Sequence, residues 1–226
     1  FWATTLDLGR LPANNEFEHS DQIRHLVGSH KTAFDTICTL GNETIFDEAQ
    51  QARKDDLLVY FALGLFERRK PYKHMPDGLK RDIKSFFGNK SEADKAAQSL
   101  LFSVGKPSVI QEACESAYAQ IGCGEYTEGH SFTFHKDYLG AMPAVLRIYI
   151  GCATQLYGDL EDIHLIKAHI RSGKVSLMKY LNWNEDIPML IERVKIKLRE
   201  QDIDFFDYVG EFEPTALENK FAFLGH

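Results

Sequence analysis

Between Leu165 and Tyr180 the sequence runs LIKAHIRSGKVSLMKY, with basic and hydroxyl residues at alternate positions on either side of a central turn. Read with period two as a hairpin turning on Ser172 and Gly173, it pairs Arg171 with Lys174, His169 with Ser176 and Ile170 with Val175. Lys167, His169, Arg171, Lys174 and Ser176 then share one face, and Ile166, Ala168, Ile170, Val175 and Leu177 the other. A second hairpin, RVKIKLREQDIDFFDYV, repeats the pattern, with Val194, Ile196 and Leu198 alternating with Lys195, Lys197 and Arg199. Phosphate contacts need cations spaced along a surface in this way, and each cation engaged releases a counterion. Like charges facing one another repel, so a polyanion lying between them would compensate them. The alternative is a solvated face balanced by the acidic stretches YGDLEDIH and REQDIDFFDYVGEFE.

Other side chains offer less specific chemistry. The stretch FERRKPYKH and the helical run after it supply a second basic cluster: Arg68, Arg69, Lys70, Lys73 and His74 with Lys80, Arg81 and Lys84. The alternatives to nucleic-acid binding are a protein-interaction module and a metal-dependent nuclease or phosphodiesterase, the latter assembled from His135, His169 and Lys174 with a carboxylate such as Asp186. Cys114, Cys123, His130 and His135 are zinc-type ligands, but their C-x8-C-x6-H-x4-H spacing matches no familiar structural site, and no metal is expected. GxGxxG, GxxxxGKS, HExxH and GxSxG are all missing from the sequence. Trp183 is either a base-stacking ring or a packing plug after a strand.

Around these residues the periodicity changes once. From Glu16 to about Ile121 it is helical: Leu57, Leu58, Phe61, Leu65 and Phe66 fall at core spacings before Pro71. In MPDGLKRDIKSFFG, Leu79, Ile83, Phe86 and Phe87 make one apolar stripe ended by Gly88. SEADKAAQSLLFSVG and KPSVIQEACESAYAQIG are two further helices. GCGEYTEGHS, with its three glycines, is the expected linker at 122–131. A short strand SFTFHK, a helix from about Pro143 to Tyr157 and the two hairpins follow. The expected fold class is α+β: a helical domain at 1–121, then at 132–226 a small antiparallel meander with a helix against its apolar face.

Composition sets wide bounds. The 226 residues carry a formal charge of -7, yet residues 50–110 hold 12 Lys and Arg against 7 Asp and Glu. Screening confines each field to about 8 to 10 Å, so a local basic region can bind phosphate within an acidic chain. Four separated cysteines fit the reduced cytosol, and no apolar run has the roughly 18 to 20 residues needed to span a bilayer. Because the sequence starts with Phe, it is expected to be a piece of a longer protein.

The runs ARKDDLLVYFALGLF, MPDGLKRDIKSFFG, QSLLFSVGKPSVIQEAC, FHKDYLGAMPAVLRIYIGCA and LIKAHIRSGKVSLMKY, in this order, resemble the C-terminal half of the bacterial DNA phosphorothioation-associated methyltransferases. The likeness runs from about Leu8 to Leu224. His135, Lys167, His169, Lys174 and Ser176 match the family pattern, whereas Leu177, Asn182 and Trp183 depart from it. The resemblance implies a DNA-modification, restriction or bacterial-defence context, DNA as partner, and an accessory role for this piece. The family's methyl-transfer core would precede Phe1, so S-adenosylmethionine is expected only in a longer parent and no cofactor in this chain.

Overall fold

A computed structural model describes residues 1–66, 72–208 and 213–225. The chain divides into two compact units, Phe1–Gln98 and Ser99–His226. The first is helical and the second is built on an antiparallel meander with helices packed against it, the α+β order expected from periodicity.

In the first unit, α1 (Trp2–Leu8), α2 (Ser20–Val27), α3 (His30–Ile37), α4 (Glu43–Leu63) and α5 (Asp77–Phe87) are complete, and α6 (Lys90–Ser103) runs across the division. Ser29 caps α3, its Oγ accepting the Thr32 amide at 3.0 Å. Leu57, Val59, Phe61, Ala62 and Ile83 are buried, while Leu79, Phe86 and Phe87 of the expected stripe are only half-buried. Gly9 ends α1 at φ 59°, and a Cβ there would stand 2.8 Å from Arg53 Cβ. A larger residue would push α1 off α4.

The centre of this unit is ionic. Arg10 Nε donates to Asp82 Oδ1 at 2.7 Å, and its two terminal nitrogens donate to the Glu16 carboxylate at 2.8 and 2.9 Å. Arg53 reaches Asp82 Oδ2 at 2.7 Å and Arg81 reaches Glu16 at 2.9 Å. The hydrogen bond from Arg10 holds the Glu16 carboxyl down at about 2, against a smaller opposing effect of burial. Asp82 lies on α5 with only 1 % of its surface exposed.

The second unit contains α7 (Pro107–Ile121), β1 (Glu125–Thr127), β2 (Ser131–His135), α8 (Ala144–Tyr157), β3 (Leu165–His169), β4 (Lys174–Leu181), β5 (Met189–Lys197), β6 (Asp202–Asp207) and β7 (Thr215–Ala216). The sheet runs β1-β2-β3-β4-β5-β6 in sequence order, all antiparallel, and β7 pairs with β5. Phe132, Phe134, Ile166, Ala168, Ile170, Val175, Leu177, Val194 and Ile196 form one core with Ile110 and Cys114 of α7 and Leu146, Tyr149 and Ile150 of α8. Tyr149 donates its hydroxyl proton within a forked contact to His169 O at 2.9 Å and Lys174 O at 3.0 Å. This joins α8 to both strands of the first hairpin.

Two details differ from the sequence expectation. The first hairpin pairs Ala168 with Val175 and Lys167 with Ser176, a shift of two residues that leaves Ile170–Gly173 as the turn. An even shift keeps every side chain on its face, so the division into apolar and polar sides is unchanged. The boundary between units falls in α6, ahead of 122–131, whose residues hold β1 and the start of β2. Gly124 there serves close packing: a Cβ on it would stand 2.6 Å from Thr133 O.

Asp82→Ala takes from buried Arg10 one of its two carboxylate partners and from Arg53 the carboxylate it reaches, and should cost about 3 kcal/mol of stability, the lower end for a broken buried pair because Glu16 still holds Arg10. Urea unfolding is the check; Lys84→Ala on the exposed side of the same helix should change stability by less than about 0.5 kcal/mol.

Candidate functional site

The face of the sheet opposite α8 is ordered in rows by the strand register. One row reads Glu125, Thr133, Lys167, Ser176, Lys195, Asp204 across β1 to β6. On the turn side of it, Ser131 faces His169 and Lys174 faces Lys197, which faces Asp202. On the other side lie His135, Leu165, Met178, Arg193 and Phe206. Ser131, Thr133 and Ser176 are buried, whereas Lys167, His169, Lys174, Lys195 and Lys197 are half-buried. Long cationic side chains thus stand around a floor of short hydroxyls, their stems lying on the sheet.

The third row is partly roofed. Leu165, Met178, Tyr180 and Leu190 form a small core with Phe223, against which Trp183 and Leu217 pack. Trp183 stacks on His135 and His164, with ring centroids 5.2 and 4.8 Å apart, and Lys220 Nζ lies 5.3 Å from the indole centroid. Trp183 is therefore a packing element between imidazoles. Burial lowers the basicity of both histidines, taking His164 down to about 4.

The open rows carry the charge. His169 Nε2 lies 3.0 Å from Ser176 Oγ, His130 Nδ1 lies 3.0 Å from Ser131 Oγ, and the two imidazoles are 6.1 Å apart. Burial pushes His169 down to about 4, helped by Lys167, His130, Lys195 and Lys174 around it. Lys197 is neutralised by Asp202 at 3.0 Å and Asp204 at 2.8 Å. Lys195 Nζ lies 5.3 Å from the Phe206 ring centroid. Among the described residues, no carboxylate lies within 4.0 Å of Lys167, Lys174, Lys195 or Arg193. Arg193 Nε is buried with no hydrogen-bond partner there.

The expected residues separate into groups. Lys167, His169, Lys174, Ser176, Lys195 and Lys197 come together on this face. Arg171 and Arg199 stand at its turn end, where Arg199 donates to Arg171 O at 3.4 Å. In the helical unit Arg81 is held by Glu16 and Lys80 by Asp77, while Lys73, His74 and Lys84 are exposed; Arg68, Arg69 and Lys70 lie outside the described residues. The nuclease constellation is not assembled: His135 sits in the Trp183 row, four residues along β2 from the Ser131 that faces His169, and Asp186 is exposed in the loop after β4. Cys114 is buried in α7 with its thiol pushed up to about 12, and among the described residues no three His, Cys, Asp or Glu side chains are grouped to hold a metal.

Arg193, Phe206, Ser131 and Thr133 complete the face without having been singled out in the sequence. Arg193 simply extends the Lys195, Lys197 alternation by one step. Phe206 was concealed by its neighbour, since in DFFD one Phe falls on each side of the strand. Comparison with family models, curated proteins and solved structures found no match, so the family likeness rests on the quoted runs alone. Among the described residues no helix is long and apolar enough to cross a membrane.

An anion on this face should raise the His169 midpoint, because it offsets the cations that help to lower it. An NMR titration should give a midpoint well below 6.5 for the free protein and a higher one with pyrophosphate bound. The sign for stability follows: imidazoles depressed to about 4 in the fold favour the native state above the unfolded value near 6.5, and this is lost progressively as pH falls toward 4.

Proposed function

We propose that this chain binds nucleic acid, DNA in the first instance, through the polar face of its sheet, and acts as an accessory region that positions a catalytic domain or partner of a DNA-modification or restriction system. The observation that carries the binding half is the set Lys167, Lys174, Lys195 and Arg193, on three neighbouring strands, with no carboxylate in ion-pair range among the described residues. Strands lie about 4.8 Å apart, so Lys167 and Lys195, flanking β4, are rooted roughly 10 Å apart. Phosphates of one duplex strand repeat every ~3.4 Å along the axis, so a patch of that width reaches about three of them. The accessory half, and the cytoplasmic location that goes with it, rest on the family likeness.

The chain's net charge of -7 opposes association at long range, and the patch acts within a Debye length. Binding should therefore be short-ranged and steeply weakened by salt. The triple variant Lys167→Ala, Lys174→Ala, Lys195→Ala removes half-buried side chains that stand outside the hydrophobic core. It should stay folded, bind duplex DNA more weakly, and lower the slope of log K against log salt by up to about 0.9 for each phosphate no longer neutralised. Fluorescence anisotropy over a salt series measures this; a folded variant with unchanged affinity and slope would return the face to a solvated surface.

A further inference from the structure

Phe206 is the one aromatic side chain in the open part of the cationic face among the strand-register pairs described, and the residue is 41 % exposed. It stands directly across from Arg193, and Lys195 Nζ lies 5.3 Å from its centroid. No aromatic ring pairs with it among the described residues, in contrast to Trp183, which is stacked between imidazoles. β6 ends the strand order on this side of the sheet, and among the described residues no strand pairs with its outer edge. The nearby acids are already engaged: Asp202 and Asp204 both hold Lys197. An exposed ring on an antiparallel sheet, beside cations with no carboxylate in ion-pair range among the described residues, is the combination by which sheet surfaces receive unpaired bases, the ring taking a base and the cations the adjoining phosphates.

We infer that the nucleic acid taken by this face is single-stranded, with a base laid against Phe206 and the flanking phosphates on Arg193, Lys195 and Lys167. This rests on the phosphate-binding reading of the face and names the form of ligand that it takes. A duplex keeps its bases stacked on one another, so it would meet the cations and leave the ring unused. An extended strand can present both groups to neighbouring rows.

The test uses the whole chain with a fluorescein-labelled 12-nucleotide oligothymidylate and, separately, a labelled 12-base-pair duplex, at matched salt. The wild type should bind the single strand on the order of tenfold more tightly than the duplex. Phe206→Ala should lose on the order of tenfold on the single strand with its salt slope unchanged, because stacking is not ionic, and leave duplex binding alone. Phe206→Trp should restore the loss. Phe205→Ala, on the same strand but the opposite face, is the control for damage to β6 and should leave binding unaltered.

Equal binding of both forms, or no loss in Phe206→Ala, would overturn the single-strand inference and leave phosphate binding standing. Equal losses in Phe205→Ala and Phe206→Ala would overturn it too, since the strand and not the ring would then be responsible. No binding of either nucleic acid by the wild type would bring down both readings.

Discussion

The burial of one sheet face beneath α7 and α8 governs what the opposite face can be. Side chains alternate with period two, so committing Ile166, Ala168, Val175, Leu177, Val194 and Ile196 to that core commits Lys167, Lys174, Ser176, Lys195 and Lys197 to the other side. Tyr149 strengthens the constraint by bonding from α8 to carbonyls of both β3 and β4. A one-residue slip would break that fork and turn cations into the core. The basic face is thus held in place by packing on its reverse.

Energetics separate what the fold needs from what it tolerates. A fully buried large apolar side chain is worth about 1.5–3 kcal/mol, whereas like charges directly opposite, as Lys174 and Lys197 are, cost on the order of 0.2–1 kcal/mol. The core exceeds the repulsion several-fold. Asp202 and Asp204 remove part of it at Lys197, and Ser176 separates Lys167 from Lys195 within its row. Stability accommodates these cations without requiring them. The helical unit shows the contrasting arrangement, in which Arg10, Arg53 and Arg81 are bonded to Asp82 and Glu16 inside the structure.

Parity was the part of this arrangement legible from sequence, because apolar and polar residues alternate cleanly in both hairpins. Register was not, since a two-residue shift between Ala168 and Ile170 as the partner of Val175 preserves both faces and leaves no trace in the pattern. The glycines at 122–131 resembled a linker because composition cannot distinguish a flexible spacer from a chain that must pass close to Thr133 O. Arg81 resembled a surface cation because its partner Glu16 is distant in sequence and joins it only on folding. Phe206 was hidden in a pair of phenylalanines that a strand sends to opposite sides.

The central claim is that the polar face between β2 and β6 is where a polyanion sits, and chemical-shift mapping of the isotopically labelled chain against a short oligothymidylate tests it most directly. Saturable shifts should centre on Thr133, Lys167, His169, Ser176, Arg193 and Lys195, with core residues on the reverse face such as Leu146 and Leu177 much less affected. Shifts concentrated instead around Lys73 to Lys84, or no saturable shifts at low salt, would contradict it.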